Sequence, residues 1–142
     1  MTLDDPPYQQ LWCDRGEERL GVQLYDPPGP RAPAVVIWSA MGVPARFYRP
    51  FALRLREHGL MVAVVDLRGT GASTPRPSPA SRYGYAELVD DVGAVLAELK
   101  PALGDRRLLL FGHSLGGMLC LLHVARLAAA EGGGRRGAVG GV

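Results

Sequence analysis

The sequence has little cysteine and no marked excess of either charge, and both shortages exclude classes of protein. Its only cysteines, Cys13 and Cys120, are too far apart for a C-x-x-C motif or a zinc-ligand spacing. Sixteen basic and fourteen acidic residues give a net charge of +2, without the clustered basic residues of a nucleic-acid-binding protein. We therefore expect two free thiols, no bound metal, no nucleic-acid partner and a reducing, cytoplasmic location.

Long apolar runs are also missing. No stretch approaches the roughly 18 consecutive apolar residues of a membrane-spanning helix. The N-terminus contains Asp4, Asp5 and two prolines where a signal peptide would have its apolar core. These absences predict a chain without a signal peptide and without stable membrane insertion. The 142 residues are enough for one domain, and their composition leaves the oligomeric state open.

What the sequence does contain is an alternation of short apolar runs and amphipathic segments. Polar and apolar residues alternate over residues 8–25, around a charged turn at 14–17, and predict an antiparallel hairpin. Apolar runs predict buried strands, and the segments between them have helical periodicity. This order predicts an α/β fold with a mostly parallel sheet and helices on both faces. The predicted strands are 34–38, 61–65 and 108–111. The first predicted helix carries Phe47, Phe51 and Leu55 and ends at Gly59, and the second runs from Leu88 to Leu99 and is closed by Pro101. The third predicted helix, 115–130, is almost wholly apolar, and we expect it to be buried.

One short motif indicates chemistry. Residues 112–116, Gly-His-Ser-Leu-Gly, fit G-x-S-x-G and fall between the predicted strand 108–111 and the next helix. A nucleophile elbow requires that strand–turn–helix placement. The flanking glycines leave room for the neighbouring strand and helix, and the helix N-terminus points unpaired N–H groups at a developing oxyanion. The pattern predicts Ser114 as a nucleophile.

Three stretches, in order and spacing, resemble the α/β-hydrolase superfamily, in the branch of monoacylglycerol lipases and serine aminopeptidases. Residues 39–44, followed by Phe47 and Tyr48, stand where that family has its His-Gly oxyanion loop after the third strand. Residues 66–73 match its D-x-R-G-x-G-x-S loop after the fourth strand, and the Ser114 elbow follows the fifth. The resemblance covers about residues 20–130, which correspond to the first half of the family's domain.

The resemblance implies an oxyanion hole made of two backbone N–H groups. One belongs to Leu115, the residue after the nucleophile, and the other to Met41, which follows Ser39-Ala40 where relatives have His-Gly. It also implies hydrolysis of an ester, thioester or amide bond in a small-molecule or lipid-like acyl substrate, with no cofactor. Residues 69–73 lack the endings of phosphate-binding loops, so we interpret them as a structural turn.

The histidines and one acidic cluster have structural interpretations. His58, beside a glycine at a helix end, is typical of a C-terminal cap that interacts favourably with the helix dipole. His113 adjoins Ser114 and therefore points in another direction, and His123 falls on the far side of the helix after the elbow as a packed residue. A solvated polar helix face is expected at Glu87, Asp90 and Asp91.

A catalytic acid and base are absent after Ser114. In this fold the triad runs serine, then an acid, then histidine, but only His123 and Glu131 follow, on or at the end of the next helix. A serine hydroxyl needs a base to remove its proton. Three explanations stay open: a piece of a longer or truncated gene product, a second chain that supplies the missing half, or a non-catalytic small-ligand binding or interaction protein on a truncated hydrolase scaffold.

The same reasoning divides the chain into two parts. We expect residues 1–131 to form the N-terminal portion of a single α/β-hydrolase domain, truncated at its C-terminal side. Residues 132–142 form a Gly/Arg-rich tail that is either disordered or the start of a sixth strand. The family's last strands would be lacking, which would leave the strand nearest the break as an exposed hydrophobic edge. We expect these 142 residues by themselves to lack triad-level activity.

Overall fold

The computed structural model of the chain describes residues 5–132 and 139–141. Within them, strands and helices alternate after an initial hairpin. The strands are β1 (Tyr8–Arg15), β2 (Glu18–Tyr25), β3 (Ala34–Trp38), β4 (Met61–Val65), β5 (Leu108–Gly112) and β6 (Val139–Gly141). The helices are a 3₁₀ helix (Ala45–Tyr48), α1 (Arg49–Glu57), α2 (Tyr85–Leu103) and α3 (Leu115–Ala130).

The strands form one sheet in the order β1-β2-β4-β3-β5-β6. β1 pairs antiparallel with β2, from Tyr8 opposite Tyr25 to Arg15 opposite Glu18, which is the predicted hairpin. β2 pairs antiparallel with β4, whereas β3 lies parallel between β4 and β5. The sheet confirms the predicted fold class, a mostly parallel α/β sheet with an N-terminal antiparallel hairpin.

A hydrophobic core covers each face of the sheet. On one face α2 and α3 pack on residues such as Trp38 and Val65, and on the other face the 3₁₀ helix and α1 pack on Ile37 and Val64. Every residue of β3 and β4 is buried for this reason. Both strands have the ends that their apolar runs predicted. Cys13 and Cys120 are buried free thiols, and burial raises the pKa of Cys120 to about 12.

The first helix faces the sheet differently from its prediction. Phe47 is 64% exposed and lies in the 3₁₀ helix, and Phe51 is 38% exposed. Tyr48 and Ala52 are buried in their place. The predicted helix and its end before Gly59 are confirmed by α1. Phe47 is not on the buried face because it belongs to the 3₁₀ helix, which turns every three residues and does not continue the four-residue spacing of an α-helix.

α2 continues past its predicted end. At its start the Gly84 N–H donates to Glu87 Oε2 at 2.7 Å. Pro101 was predicted to close the helix, but it lies inside the last turn and α2 ends two residues later. A proline in the last turn removes one N–H donor without breaking what precedes it. The helix is closed instead by Gly104, which has φ +55° and donates its N–H to Lys100 O at 2.9 Å.

α3 is buried on one side only, so the prediction of an almost fully buried helix was wrong. Its N-terminal half packs on the sheet and on α2 through Leu115, Leu119 and Cys120. An apolar composition shows that a surface could be buried but does not show whether a neighbour covers it. Exposed side chains on α3 are Met118 (50%), Leu121 (62%) and Leu122 (43%).

The last described strand forms one edge of the sheet. β6 runs parallel to β5, with Leu108 opposite Val139 and Leu109 opposite Gly141. β6 is the strand nearest the end of the sequence, and it is the outermost strand on that side of the described sheet, as the prediction has it. Most of the tail for which we predicted a strand or disorder, residues 133–138 and 142, lies outside the described residues. Among the described helices, none has the length and apolarity needed to cross a membrane.

Candidate active site

Ser114 occupies a sharp turn between a strand and a helix. β5 ends at Gly112 and α3 begins at Leu115, and Ser114 between them has φ 56° and ψ −113°. It is the one residue other than glycine with a positive φ in the described ranges 5–132 and 139–141. Such a conformation costs about 1–3 kcal/mol and persists only where the surroundings impose it. The side chain is exposed, and its hydroxyl hydrogen-bonds to no described residue.

Backbone crowding explains the glycines around this turn. A Cβ on Gly116 would overlap the carbonyl oxygen of Trp38, and a Cβ on Gly112 would overlap the backbone of Gly117. The His113 N–H also donates to Trp38 O at 3.0 Å. The turn is therefore pressed against the end of β3 by backbone atoms, which cannot move aside as a flexible side chain can. This crowding holds Ser114 in its strained conformation.

The loop after β3 leaves that same strand end. Ser39 is fully buried and donates its hydroxyl proton to Val65 O at 2.7 Å. Met41 follows with its side chain 73% exposed, and its N–H donates to no residue in the described part of the chain. The same holds for the N–H of Leu115 at the start of α3. The resemblance predicts that the N–H groups of Met41 and Leu115 bind the oxyanion. Neither group donates a hydrogen bond to an acceptor in the described part of the chain.

One apolar pocket joins the two loops to the start of α3. Its volume is about 330 Å³, within the range of small-molecule sites. A larger groove of about 430 Å³ is lined by residues of α2 and α3 alone, so it does not reach the loops beside Ser114. The smaller pocket is lined by Met41, Gly42, Leu67, Arg68, Gly69, Thr70, Pro77, Tyr83, Leu88 and Leu115.

Tyr48 links the loop after β3 to the turn at Ser114, and sequence reasoning missed it. Its hydroxyl oxygen accepts the Ala40 N–H at 2.8 Å and lies 2.9 Å from His113 Nδ1. Because that oxygen is the acceptor for Ala40, its proton is available to the ring nitrogen. Tyr48 therefore ties the neighbour of Met41 to the neighbour of Ser114. The sequence indicated only that Tyr48 follows residues 39–44 in the stretch that resembles the hydrolase family, and this position does not predict a hydrogen bond.

A buried carboxylate holds the loop after β4. Asp66 is 2% exposed, and its two oxygens accept the N–H groups of Ala45 at 2.7 Å and Ala72 at 3.1 Å. Burial raises the pKa of Asp66, and these hydrogen bonds oppose the rise. Gly71 has φ +56°, and a Cβ there would overlap the carboxylate. The loop is a structural turn, as predicted, and it fastens the start of the 3₁₀ helix to the end of β4.

A buried ion cluster corrects the prediction of a solvated acidic face on α2. Asp91 is 3% exposed. It accepts two hydrogen bonds from Arg68, at 2.6 and 3.0 Å, and one from Arg15 at 2.9 Å. The adjacent Asp90 does face water, where it pairs with Arg126. Helical periodicity could not reveal this difference, because the two arginines come from β1 and from the loop after β4.

None of the other candidate acid or base groups contacts Ser114 in the described part of the chain. His58 caps α1 as predicted, with Nδ1 donating to Arg54 O at 2.8 Å, and His113 is engaged by Tyr48. His123 lies against α2, where a Cβ on Gly93 would sit 3.4 Å from its ring. Among the described residues, no group of three or more metal-ligating side chains occurs.

Protonation of His123 is expected to destabilise the fold. Burial, and after it Arg126, lower the pKa of His123 below its ordinary 6.5. Below pH 6.5 the unfolded chain takes up a proton before the folded chain does, so the free energy of unfolding falls as the pH drops. We expect His123→Gln to flatten this fall in urea unfolding between pH 7.5 and pH 5. His58→Gln, at an exposed histidine, is the control, and equal slopes in the two variants would contradict the prediction.

Ser114→Gly is expected to stabilise the chain. Glycine adopts a positive φ without steric cost, but it also gives the unfolded chain more freedom. The relief of strain at Ser114 should exceed the entropic cost of ordering the more flexible glycine, so the free energy of unfolding should rise by about 1 kcal/mol. Ser114→Ala keeps the strain and serves as the control. Urea unfolding at a constant m-value measures the difference, and a Ser114→Gly protein less stable than Ser114→Ala would show that the turn is not strained.

Sequence comparison identifies the family. The model of the family described as "Serine aminopeptidase, S33" matches residues 29–133. "Putative carbamate hydrolase RutD" of Variovorax paradoxus (strain S110) is 37% identical over 98 residues, which cover 68% of this chain and 35% of the relative. The protein of the same name from Stutzerimonas stutzeri (strain A1501) is 35% identical over 99 residues, or 70% and 35% of the two chains. The chain therefore spans about 35% of the length of these relatives.

Solved structures agree on the fold. A highly thermostable carboxyl esterase from Bacillus coagulans matches with a TM-score of 0.71 and 22% identity, over 88% of this chain and 42% of the esterase. The thioesterase domain from the curacin biosynthetic pathway matches with a TM-score of 0.67 and 23% identity, over 87% and 42%. At these identities the likeness shows the fold alone. Because the family model covers most of the chain and the sheet has the architecture of these solved enzymes, the chain belongs to the serine aminopeptidase, S33, family of α/β-hydrolases.

Proposed function

We propose that the protein carrying these residues is a serine hydrolase that cleaves an ester, thioester or amide bond through an acyl-enzyme on Ser114. The observation that carries the proposal is the strained, exposed Ser114 at the start of α3, near two unused backbone N–H groups. Membership of a hydrolase family supports it. The names of similar proteins include a carbamate hydrolase, a carboxyl esterase and a thioesterase domain, whose substrates share an acyl carbonyl.

In the proposed reaction, Ser114 Oγ attacks the substrate carbonyl carbon while a base takes the hydroxyl proton. The carbonyl oxygen becomes an oxyanion, to which the N–H groups of Met41 and Leu115 donate, and the positive end of the α3 dipole adds to the stabilisation. Collapse of this intermediate expels the leaving group, which receives the proton. Water then attacks the acyl-enzyme and releases the acid. Removing one oxyanion donor typically lowers kcat by about 10²–10³-fold.

The base and its acid partner come from outside residues 1–142 in this proposal. His113 bonds to Tyr48, and His123 packs on α2. Alone, these 142 residues should lack triad-level activity. The reading frame after codon 142 tests this part. We expect it to encode a later acid and a later histidine, and a natural stop codon with a stable, well-folded product would contradict the proposal.

The pocket supports a small or lipid-like acyl substrate. Its walls are largely apolar, and Leu67 and Leu88 from two different elements face the space beside Leu115. No cofactor takes part in the proposed reaction. The two buried free thiols suit a reducing compartment, so we place the protein in the cytoplasm.

A fluorophosphonate probe tests the nucleophile. The probe should label the full-length protein on the tryptic peptide 108–126, which contains Ser114, and Ser114→Ala should abolish this adduct. Ser78→Ala, at an exposed serine far along the chain from the turn, is the matched control and should label like the parent. Failure of the full-length parent to label, or labelling that persists in Ser114→Ala, would refute Ser114 as the nucleophile.

A second candidate is a non-catalytic small-ligand binding or interaction protein on the same scaffold. It is favoured by one observation: within the described residues, the Ser114 hydroxyl has no hydrogen bond to a histidine or an acid. This candidate predicts no labelling by the fluorophosphonate in the full-length protein together with retained binding in the pocket. The labelling experiment therefore separates the two candidates.

A further inference from the structure

We propose that the substrate carries a carboxylate or phosphate group, which Arg46 and Arg76 hold beside the apolar pocket. This inference rests on the proposed function, because it takes the apolar pocket as the place of the acyl group. Neither the family match nor the names of the relatives assign a role to these two arginines. The inference deepens the proposed function by naming the charge of the substrate.

A second, polar pocket adjoins the apolar one. Its volume is about 190 Å³. Gly42, Gly69 and Thr70 line both pockets, so the two spaces share a wall made of backbone and one threonine. Arg46 and Arg76 line only the polar pocket. A molecule with an apolar part and a charged part could therefore place each part in its own compartment.

Both arginines are free to bind an anion. Their side chains are exposed, and neither forms an ion pair with a side chain in the described ranges. Both arginines interact electrostatically with Asp66. The carboxylate oxygens of Asp66 accept hydrogen bonds from the N–H groups of Ala45 and Ala72. Burial raises the pKa of Asp66, and the two guanidinium charges act against that rise. Asp66 is 2% exposed, so it cannot turn outward to form an ion pair with either guanidinium group.

The other charged residues near the two pockets neither bind the anion in place of Arg46 and Arg76 nor pair with these two arginines. Arg68 lines the apolar pocket, but its charge is paired with the buried Asp91. No aspartate or glutamate lines either pocket in the described part of the chain. Two guanidinium groups on one small cavity suit an anion such as a carboxylate or a phosphate, because each guanidinium can donate two parallel hydrogen bonds to a pair of the anion's oxygens. The size of the polar pocket suits one such group rather than the side of an acidic protein.

Binding without turnover tests the proposal. The Ser114→Ala protein is titrated with monomethyl glutarate, an ester with a free carboxylate, and with dimethyl glutarate, its neutral match, at low salt. Amide shifts of Gly42, Gly69 and Gly71 report on the pockets. We expect the charged ester to bind about tenfold more tightly than the neutral one, which is the effect of two exposed charge pairs. Raising the ionic strength to 0.15 M should reduce this preference.

Two double variants complete the test. Arg46→Gln with Arg76→Gln should remove the preference, and Arg46→Lys with Arg76→Lys should retain part of it. Arg31→Gln with Arg107→Gln removes the same charge from exposed residues that line neither pocket and should leave the preference intact.

Equal binding of the two esters, or an equal loss in both glutamine pairs, would overturn the proposal. Inorganic phosphate that binds as tightly as monomethyl glutarate would instead assign the site to a free anion and would also overturn it. A failed titration beside successful fluorophosphonate labelling of the full-length protein would reject the anion site and leave Ser114 as the nucleophile.

Discussion

Replacing Asp91 with alanine should lower the free energy of unfolding by about 3–5 kcal/mol. The variant would leave Arg68, whose side chain is 11% exposed, and Arg15, at 30%, without their shared carboxylate. Removing one partner of a buried ion pair costs this much because the other charge stays buried and uncompensated. The cluster also joins β1, α2 and the loop after β4, so its loss should loosen the wall of the apolar pocket. Urea unfolding followed by circular dichroism measures the effect.

The neighbouring residue offers a matched control. Asp90 pairs with Arg126, but both side chains of that pair are 53% exposed, and exposed pairs contribute about 0–1 kcal/mol. Asp90→Ala should therefore change the free energy of unfolding by less than about 1 kcal/mol. Similar small losses in the two variants would mean that Asp91 is not buried against the arginines as described.

Gly116→Ala should destabilise the chain by about 3 kcal/mol or more, which is the upper range for overpacking. The added Cβ would overlap the carbonyl oxygens of Trp38 and Ser39. Those atoms belong to the end of β3 and the start of the loop after it, so the turn can make room only if one of the two elements moves. The expected result is a lower urea midpoint and, in the full-length protein, loss of fluorophosphonate labelling.

Gly29→Ala is the control for the effect of an added methyl group. A Cβ at Gly29 meets no atom within 4 Å, and the substitution should leave both the urea midpoint and the labelling nearly unchanged. If Gly116→Ala proved as harmless as Gly29→Ala, the close approach of the turn to β3 would be refuted. If it lowered stability but left labelling intact, the turn would be a packing feature without influence on the nucleophile.

The parts of the structure that the sequence predicted depend on local pattern. The runs at Ala34–Trp38 and Met61–Val65 are apolar because helices cover both faces of those strands, so burial can be read from neighbouring residues alone. The sharp turn at Ser114 was predictable for a similar reason. Its motif needs only five consecutive residues and the crowding that requires glycine at 112 comes from the start of α3, whereas the crowding at 116 comes from the end of β3.

The parts that could not be predicted depend on partners far apart in the chain. Arg15 and Arg68 reach Asp91 from 76 and 23 residues away, and no periodicity within α2 distinguishes Asp91 from the solvated Asp90. Tyr48 bonds to His113 across 65 residues. The exposed side of α3 was mispredicted because the apolar character of a residue does not show which element, if any, covers it.

The hydrogen bonds of Tyr48 connect two separate pieces of chain. Ala40 precedes Met41, His113 precedes Ser114, and a single hydroxyl group holds both. A displacement of the Met41 backbone therefore strains the hydrogen bond between Ala40 and Tyr48, whose hydroxyl group is shared with the residue before Ser114. Because one hydroxyl group serves both hydrogen bonds, the position of the loop after β3 and the position of the turn at Ser114 are expected to depend on each other.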